Sequence, residues 1–431
     1  MAPIKSRFNR PDPPYYGWVI VGVITITGLV ACIQFNPTLS VFIIPITQQF
    51  DWSISAFAGA ITIGTLLGGL LSIAIGPLLD RFGGRWILFS GIFLMGGLVF
   101  SLGLVDQLWQ FYAVIIMSRM VLQGVIQIAN QVVVAKWFRR MRGRASAIAN
   151  IGQRVGNGTM PLLAQAVLNG HGWRVSAMTL GILAWALALL PVSIWLRRHP
   201  QDMGLETDGI AMSTTTSTGS HHYPPPTDTQ SPKSLNLREA LRTRVFYILL
   251  AGFAFNHFIH TGIAFNLLPL LVDRGFTSSQ AAGIVGAWSL LGIPATIATG
   301  LLRDKIPLKY LLAGIFAGTT LGLLLLTQVN NLWMGLVFAA VHGTFFAGIL
   351  LLDNLAYADY FGPESLGAIR GFSTPFQMAS NSFGPLAAAL VFDITDSYMP
   401  ILIVYIGIFA ALSLTMTLAS PPKTLSITNS N

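Results

Sequence analysis

The sequence predicts an all-α membrane protein of twelve transmembrane helices, arranged as two six-helix bundles with both termini in the cytoplasm. Composition is the first reason. Of the 431 residues, 53% are apolar and only 10% are charged, whereas soluble domains carry about 25% charged residues. Because a water-facing surface needs more charge than this chain holds, most of its surface is expected to face lipid.

Twelve long apolar segments are the second reason. Each is long enough to cross about 30 Å of hydrocarbon at about 1.5 Å per residue. The predicted spans, numbered 1 to 12 in chain order, cover residues 18–45, 54–78, 86–105, 109–135, 146–168, 173–196, 245–271, 279–301, 308–327, 332–357, 370–392 and 398–420. No cleavage site of small residues follows a short apolar core, so span 1 is expected to be retained.

The interval between spans 6 and 7 divides the chain. Residues 199–244 are rich in Ser, Thr and Pro, which bury too little apolar area to fold. We therefore expect an N-terminal six-helix bundle at 1–198, a disordered cytoplasmic linker at 199–244 and a C-terminal six-helix bundle at 245–431.

The distribution of basic residues is the third reason. With a cytoplasmic N-terminus and alternating loops, 21 of the 25 Lys and Arg residues fall on the cytoplasmic side, and only Arg174 and Arg274 fall on the other. This asymmetry is the positive-inside pattern of membrane proteins. Topology therefore explains the net charge of +9, and no nucleic-acid partner is expected.

The two halves are related by an internal repeat. At a constant offset of 224 residues, Gly68 matches Gly292, Asp80 matches Asp304 and Gln153 matches Gln377. Because each half has an even number of spans, both enter the membrane from the same side. This predicts a parallel repeat, with the substrate site midway between the halves.

The loop after span 2 carries a family signature. It reads Gly76-Pro-Leu-Leu-Asp80-Arg81-Phe-Gly83-Gly84-Arg85, which resembles the signature loop of the major facilitator superfamily. A degenerate copy beginning at Gly300 stands at the matching place in the second half. The resemblance implies the major facilitator fold and a cytoplasmic latch for the outward-open state, formed by Gly76, Asp80, Arg81, Arg85, Asp304 and Lys305.

Further motifs resemble one branch of that superfamily, the monocarboxylate transporters and oxalate/formate antiporters. They include Tyr16-Gly17-Trp18 before span 1 and Trp137-Phe138-x-Arg140-x-Arg142-Gly143-Arg144 after span 4. The resemblance implies secondary transport of a small carboxylate. Relatives often carry a cation in span 8 or 11, whereas here span 8 is uncharged and the interior of span 11 offers Gln377. The cation is therefore expected from the first half.

Two arginines inside the predicted spans are the first candidates for substrate binding. Arg119 in span 4 and Arg154 in span 5 both lie about 12–14 Å from their membrane surface, close to the midplane. A charge at this depth is costly, and guanidinium holds a carboxylate by two parallel hydrogen bonds. The alternative for each is a structural pair with an acid on another helix.

Amide side chains of spans 1, 5 and 11 are expected to line the cavity. Gln153 and Asn157 share one face of span 5, and the repeat places Gln377 and Asn381 in the same way on span 11. Their alternative role is hydrogen bonding between helices. The same set includes Gln34 and Asn36 in span 1.

Three further residues are candidates for proton coupling. His257 and His260 lie one turn apart in span 7, and imidazole titrates near neutral pH. Asp353 in span 10 is the acid expected at membrane depth, as a proton site or as a partner for Arg. For the histidines, the alternative is a hydrogen bond to a backbone carbonyl.

Together these features predict a secondary transporter and not an enzyme. The sequence has no nucleophile–base set, no metal-spaced cluster and no phosphate loop, so no cofactor is expected. The predicted function is movement of a small organic anion by alternating access, through proton symport or anion exchange, by a monomer in the plasma (inner) membrane. The alternatives are export of a neutral or amphipathic drug-like solute, and a non-transporting sensor.

Overall fold

The computed structural model describes residues 15–138, 141–198, 200–205, 235–303, 305–362 and 366–420. The described residues are almost entirely helical. The α-helices, numbered in chain order, are α1 Gly17–Ala31, α2 Asn36–Phe50, α3 Ile54–Phe82, α4 Gly84–Leu102, α5 Leu108–Met120, α6 Gln127–Trp137, α7 Arg142–Ala184, α8 Leu190–Trp195, α9 Leu237–Ala240, α10 Arg244–Asp273, α11 Ser278–Arg303, α12 Leu308–Gln328, α13 Leu332–Phe361, α14 Leu366–Thr395 and α15 Met399–Thr417.

Ten helical segments of the described chain are long and apolar enough to cross a membrane. One of them, Gly143–Trp195, has 53 residues and is broken at Gly172, whose φ of 80° lies in the left-handed region. The break separates predicted spans 5 and 6. Helix α14, with 30 residues, is not among the ten. The protein is thus an all-helical, multi-pass membrane protein, while the count of twelve crossings stays a prediction.

Predicted span 1 is two helices and not one. A 3₁₀ turn, Cys32–Gln34, follows α1, and Phe35 is extended before α2 begins. Pro37 lies in the first turn of α2 and has no N–H to donate to the carbonyl one turn earlier. The Thr38 N–H bonds to the Phe35 carbonyl, which leaves the Gln34 carbonyl without its usual helical partner.

Two other spans contain π-helical turns. The segment Val121–Ile126 separates α5 from α6, and Trp185–Leu189 separates α7 from α8. Such turns are rare and occur frequently at functional sites. The first begins two residues after Arg119, so that arginine lies beside an irregular point of its span.

The helices pack mainly within their own half. In the first half α1 and α4 pack on α7, and α3 packs on α5; in the second, α10 packs on α14 and α11 on α13. The halves meet where α7 touches α11, α3 touches α14 and α2 touches α10. The repeat-related Gly68 and Gly292 occupy equivalent contacts: a Cβ would lie 2.9 Å from the Gln123 Cβ or 3.0 Å from the Gly343 carbonyl, respectively.

Both ends of the predicted linker, 199–244, contain local structure. Asn236 and Glu239 form a reciprocal capping box around α9, and the Leu235 N–H donates to the Phe361 carbonyl over 2.8 Å. Residues 200–205 contain a 3₁₀ turn. The central part of the predicted linker, 206–234, lies outside the described residues.

Close helix contact in the first half gives a stability prediction. A Cβ on Gly152 in α7 would lie 1.8 Å from the Thr25 carbonyl of α1. We expect Gly152→Ala to lower the free energy of unfolding by about 1–3 kcal/mol, because the two backbones must separate. The measurement is thermal unfolding of purified protein. Gly143→Ala is the control, since a Cβ there would meet nothing within 4 Å; equal losses for both variants would contradict the packing argument.

Candidate substrate site

The contacts between the halves lie toward the outer side, as the predicted topology defines it. The Thr62 hydroxyl donates to the Ser382 carbonyl over 2.8 Å, and Asn169 bonds to Ser279 over 2.8 Å. The rings of Phe57 and Phe265 lie 5.7 Å apart. These contacts join α3, α7, α10, α11 and α14 into a closed end of the interface.

Toward the cytoplasmic side the same helix faces separate. On α7, Gly158 packs so closely on α11 that a Cβ there would lie 2.5 Å from the Leu290 side chain. Ile151 is two turns away on the same face of α7, since seven residues make about two turns, yet it is 45% exposed. On α14, Pro375 lies seven residues, or about two turns, before Ser382 on the same face, and it is exposed. In the predicted topology, the interface is therefore closely packed on the outer side and more exposed on the cytoplasmic side.

Arg154 lies where closed packing gives way to the open side. It is one turn of α7 inward from Gly158, and its Nη1 is 3.8 Å from the position that a Cβ on Gly292 of α11 would take. The side chain is half-buried. The Arg154 guanidinium thus extends from α7 of the first half toward α11 of the second.

Arg119 is held by neutral groups. Its side chain is buried, and it donates to the Thr65 hydroxyl over 3.0 and 3.2 Å and to the Gln34 carbonyl over 2.5 Å. That carbonyl is the one freed by the break after α1. No carboxylate pairs with Arg119 in the part of the chain that the structure describes. Its positive charge is therefore hydrogen-bonded but not neutralised.

Several predicted cavity amides surround the first-half arginines. The buried Oε1 of Gln34 and the Oδ1 atoms of Asn36 and Asn157 have no hydrogen-bond partner among the described residues. The Asn36 amide reaches the Thr261 carbonyl only at 3.5 Å. For Gln153, a contact is made by the backbone carbonyl, which accepts from the Cys32 thiol over 3.1 Å. Buried polar atoms are normally paired, so these oxygens mark places that an occupant or water completes.

In the second half, the Asp353 carboxylate contacts three side chains, those of Arg370, Gln377 and His257. Its Oδ1 accepts from Arg370 over 3.0 Å and from Gln377 over 3.1 Å, and its Oδ2 lies 3.4 Å from His257 Nε2. The residue is buried. Arg370, the first residue of predicted span 11, therefore extends its side chain to a carboxylate on α13. Asn381 is not in this cluster; its carbonyl accepts from the Thr261 hydroxyl over 2.9 Å.

His260 lies in a different environment from His257. Its ring stacks on Phe346 with centroids 3.5 Å apart, and Trp288 lies 5.2 Å away. The Trp288 indole N–H donates to His342 Nδ1 over 2.9 Å. Sequence reasoning did not select Trp288, His342 or Phe346. His342 carried a usable signal, because it is an ionisable residue inside a predicted span.

The predicted latch is only partly covered. Gly76 and Asp80 lie in the last turns of α3, but the Asp80 side chain and the whole of Asp304 are outside the described residues. Gly83 forms the predicted turn, with φ of 79°. The Arg81 carbonyl accepts from Arg198, and Arg85 lies over the Trp86 ring. Lys305 is exposed in the loop after α11.

Comparison with protein families assigns the fold. The model of the Major Facilitator Superfamily matches residues 24–385, which is most of the chain and includes both halves. The chain belongs to the major facilitator superfamily. Its membership accounts for the all-helical architecture.

Individual relatives are distant. The chain is 20% identical to the uncharacterised MFS-type transporter YcxA of Bacillus subtilis, covering 93% of this chain and 95% of that one. It is 25% identical to the membrane sensor protein UhpC of Salmonella typhimurium (82% and 81% covered) and 23% identical to a probable L-galactonate transporter of Escherichia coli (85% and 81% covered). A bacterial homologue of the lysosomal transporter Spinster shares the fold, with a TM-score of 0.66, 15% identity and 94% of each chain covered.

Proposed function

We propose that this superfamily member is a secondary transporter that moves a small organic anion, of the monocarboxylate type, by alternating access. The position of Arg154 carries the proposal. It places a permanent positive charge at the junction of the halves, next to α11 and at the inner limit of their close packing. A bound carboxylate would gain charge-assisted hydrogen bonds there.

Arg119 supports the choice of an anion. Its charge is buried on neutral donors and acceptors, and a buried positive charge lowers the cost of bringing a negative one nearby. A sugar acid is the cargo in the name of the probable L-galactonate transporter, which is a carboxylate of the same chemical class. The resemblance of the loop motifs to monocarboxylate and oxalate/formate carriers points the same way.

The Asp353 cluster is the proposed coupling element. The Asp353 carboxylate contacts an arginine, an amide and an imidazole. Binding or release of a proton at this carboxylate would therefore alter three side-chain contacts. His257 faces it from α10, so protonation of either group changes a contact between two helices of the second half. Proton symport and anion exchange are both compatible with this arrangement.

Uptake into liposomes tests the proposal. Purified protein is reconstituted and supplied with labelled lactate, pyruvate, formate or oxalate, with and without an inward proton gradient. Saturable uptake of at least one acid is expected; acceleration by the gradient identifies symport, and acceleration by an internal anion identifies exchange. Flat traces for all four acids, from protein that is shown to be folded, would contradict the monocarboxylate proposal.

The inward opening gives a labelling prediction. We expect Ile151→Cys to react with a membrane-impermeant maleimide from the cytoplasmic side, because Ile151 is 45% exposed. Thr62→Cys is the control and is expected to be protected, since Thr62 is 3% exposed and bonded to Ser382. The native Cys32 is buried and gives little background. Labelling of residue 151 only from the outside would overturn the proposed orientation in the plasma membrane.

A second candidate function has its own support. Arg370 forms an ion pair with Asp353, and the side chains beside His260 are aromatic. Both observations favour a neutral or amphipathic solute, moved outward. Similarity to the sensor UhpC keeps a sensing role on the same fold as a further alternative. Transport of an uncharged amphipathic solute that Arg154→Gln leaves unchanged would favour the exporter.

A further inference from the structure

The second half presents an aromatic cluster beside the proposed site, which consists of His260, Trp288, His342 and Phe346. The His260 and Phe346 rings are nearly parallel, at 10°. Trp288 is tilted against both, with centroids 5.2 and 6.1 Å away. Three helices, α10, α11 and α13, thus bring their flat side chains to one place.

This cluster lies close to Arg154. The Arg154 Nη1 is 3.8 Å from the Cβ position of Gly292, and the Ala347 Cβ is 3.0 Å from that same position. Trp288 is one turn of α11 from Gly292, about 6 Å along the helix axis, and Phe346 directly precedes Ala347. A guanidinium and a set of aromatic rings therefore border the same stretch of the α11–α13 surface.

Two nitrogens in the cluster have unused hydrogen-bonding capacity. His342 Nδ1 accepts from Trp288, so in a neutral imidazole Nε2 carries the proton. His342 Nε2 and His260 Nδ1 are both buried and have no partner among the described residues. His260 itself keeps part of its surface exposed. The cluster is thus flat and largely apolar, and His260 is its most exposed member.

We infer that the organic anion carried at this site bears a flat ring, with its carboxylate on Arg154 and its ring against the His260–Phe346 stack. The inference rests on the proposed function, since it assigns the second part of the same substrate. Rings pack on rings in offset or tilted geometries that a flexible chain does not match. A carboxylate joined to an aromatic ring satisfies the arginine and the cluster at once.

Equilibrium binding to the purified full-length protein tests the inference, with labelled benzoate, hexanoate and lactate as probes. Benzoate and hexanoate carry the same charge and a similar number of carbons, so they differ mainly in the ring. We expect benzoate to bind about tenfold more tightly than either other acid. Phe346→Leu should remove most of that preference, because it weakens benzoate binding about tenfold more than lactate binding.

The control variant is Phe345→Leu. Phe345 faces α12, where its ring would meet a Cβ on Gly318, so its loss should preserve the preference for benzoate. Equal affinities of wild-type protein for benzoate and hexanoate would overturn the ring inference and leave the organic-anion proposal standing, whether or not Phe346→Leu folds. An equal loss of affinity for all three acids in Phe346→Leu would also overturn the ring inference. Binding of none of the acids to folded wild-type protein would defeat the proposed function itself.

Discussion

Replacement of Arg154 by Gln is expected to lower uptake of the transported anion about 10- to 100-fold, since hydrogen bonds to charged groups contribute about 1.5–3 kcal/mol and about 1.4 kcal/mol is a factor of ten. The reason is geometric. Arg154 is half-buried at the point where α7 leaves α11, and Gln keeps the polarity but not the charge. The measurement is initial uptake rate into liposomes as a function of anion concentration.

Arg174→Gln is the matched control for this variant. Arg174 lies at the outer surface, where it pairs with Asp106 over 2.6 Å and is 32% exposed. The same chemical change there removes a surface ion pair and should leave uptake within about twofold of wild type, because such pairs contribute little. Arg154→Lys should recover part of the lost uptake. If Arg154→Gln and Arg174→Gln transported equally well, Arg154 would not bind the substrate.

The second large effect is expected at Asp353. Asp353→Ala removes the side-chain carboxylate that accepts from Arg370, whose side chain is 27% exposed. Breaking a buried pair costs about 3–5 kcal/mol when the remaining charge is fully buried, so a loss of about 2–4 kcal/mol is expected here. The measurement is thermal unfolding in detergent.

A double variant and a control make that prediction specific. Asp353→Ala combined with Arg370→Leu should recover most of the loss, because the guanidinium is removed together with the carboxylate that it bonds. Asp359→Ala removes the partner of Arg303, a pair of 2.6 Å near the helix ends with 35% and 25% exposure, and should cost at most about 1 kcal/mol. Additive losses in the double variant would show that the pairing of Asp353 with Arg370 is not what stabilises this region.

The architecture was largely predictable because lipid imposes strong constraints on sequence. Long apolar segments and the basic loops between them predicted a helical membrane fold, and the signature loop from Gly76 to Arg85 indicated the superfamily that the family comparison shows. The predicted start of span 7 was also within one residue of the observed one: span 7 begins at residue 245, and the corresponding helix, α10, begins at Arg244. Such features depend on local composition, which one sequence contains.

Contacts between helices were less predictable because they depend on three-dimensional packing. The break after α1 had a local signal in Asn36-Pro37, but the use of the freed Gln34 carbonyl by Arg119 required the approach of α5. Arg370 is the first residue of predicted span 11, at the edge of the membrane, but its long side chain bonds to Asp353, seventeen residues earlier. The aromatic cluster combines residues of three helices that no sequence spacing connects.

The most direct test of the central claim compares a carboxylate with its uncharged amide. Proteoliposomes containing the wild-type protein are given labelled lactate or lactamide and, in parallel, benzoate or benzamide, with protein-free liposomes as the background. The proposed anion site predicts saturable uptake of at least one acid, with its amide at background level. Saturable uptake of an amide at the rate of its acid would contradict the proposed anion site. It would show that the cavity beside Arg154 does not select its solute by charge.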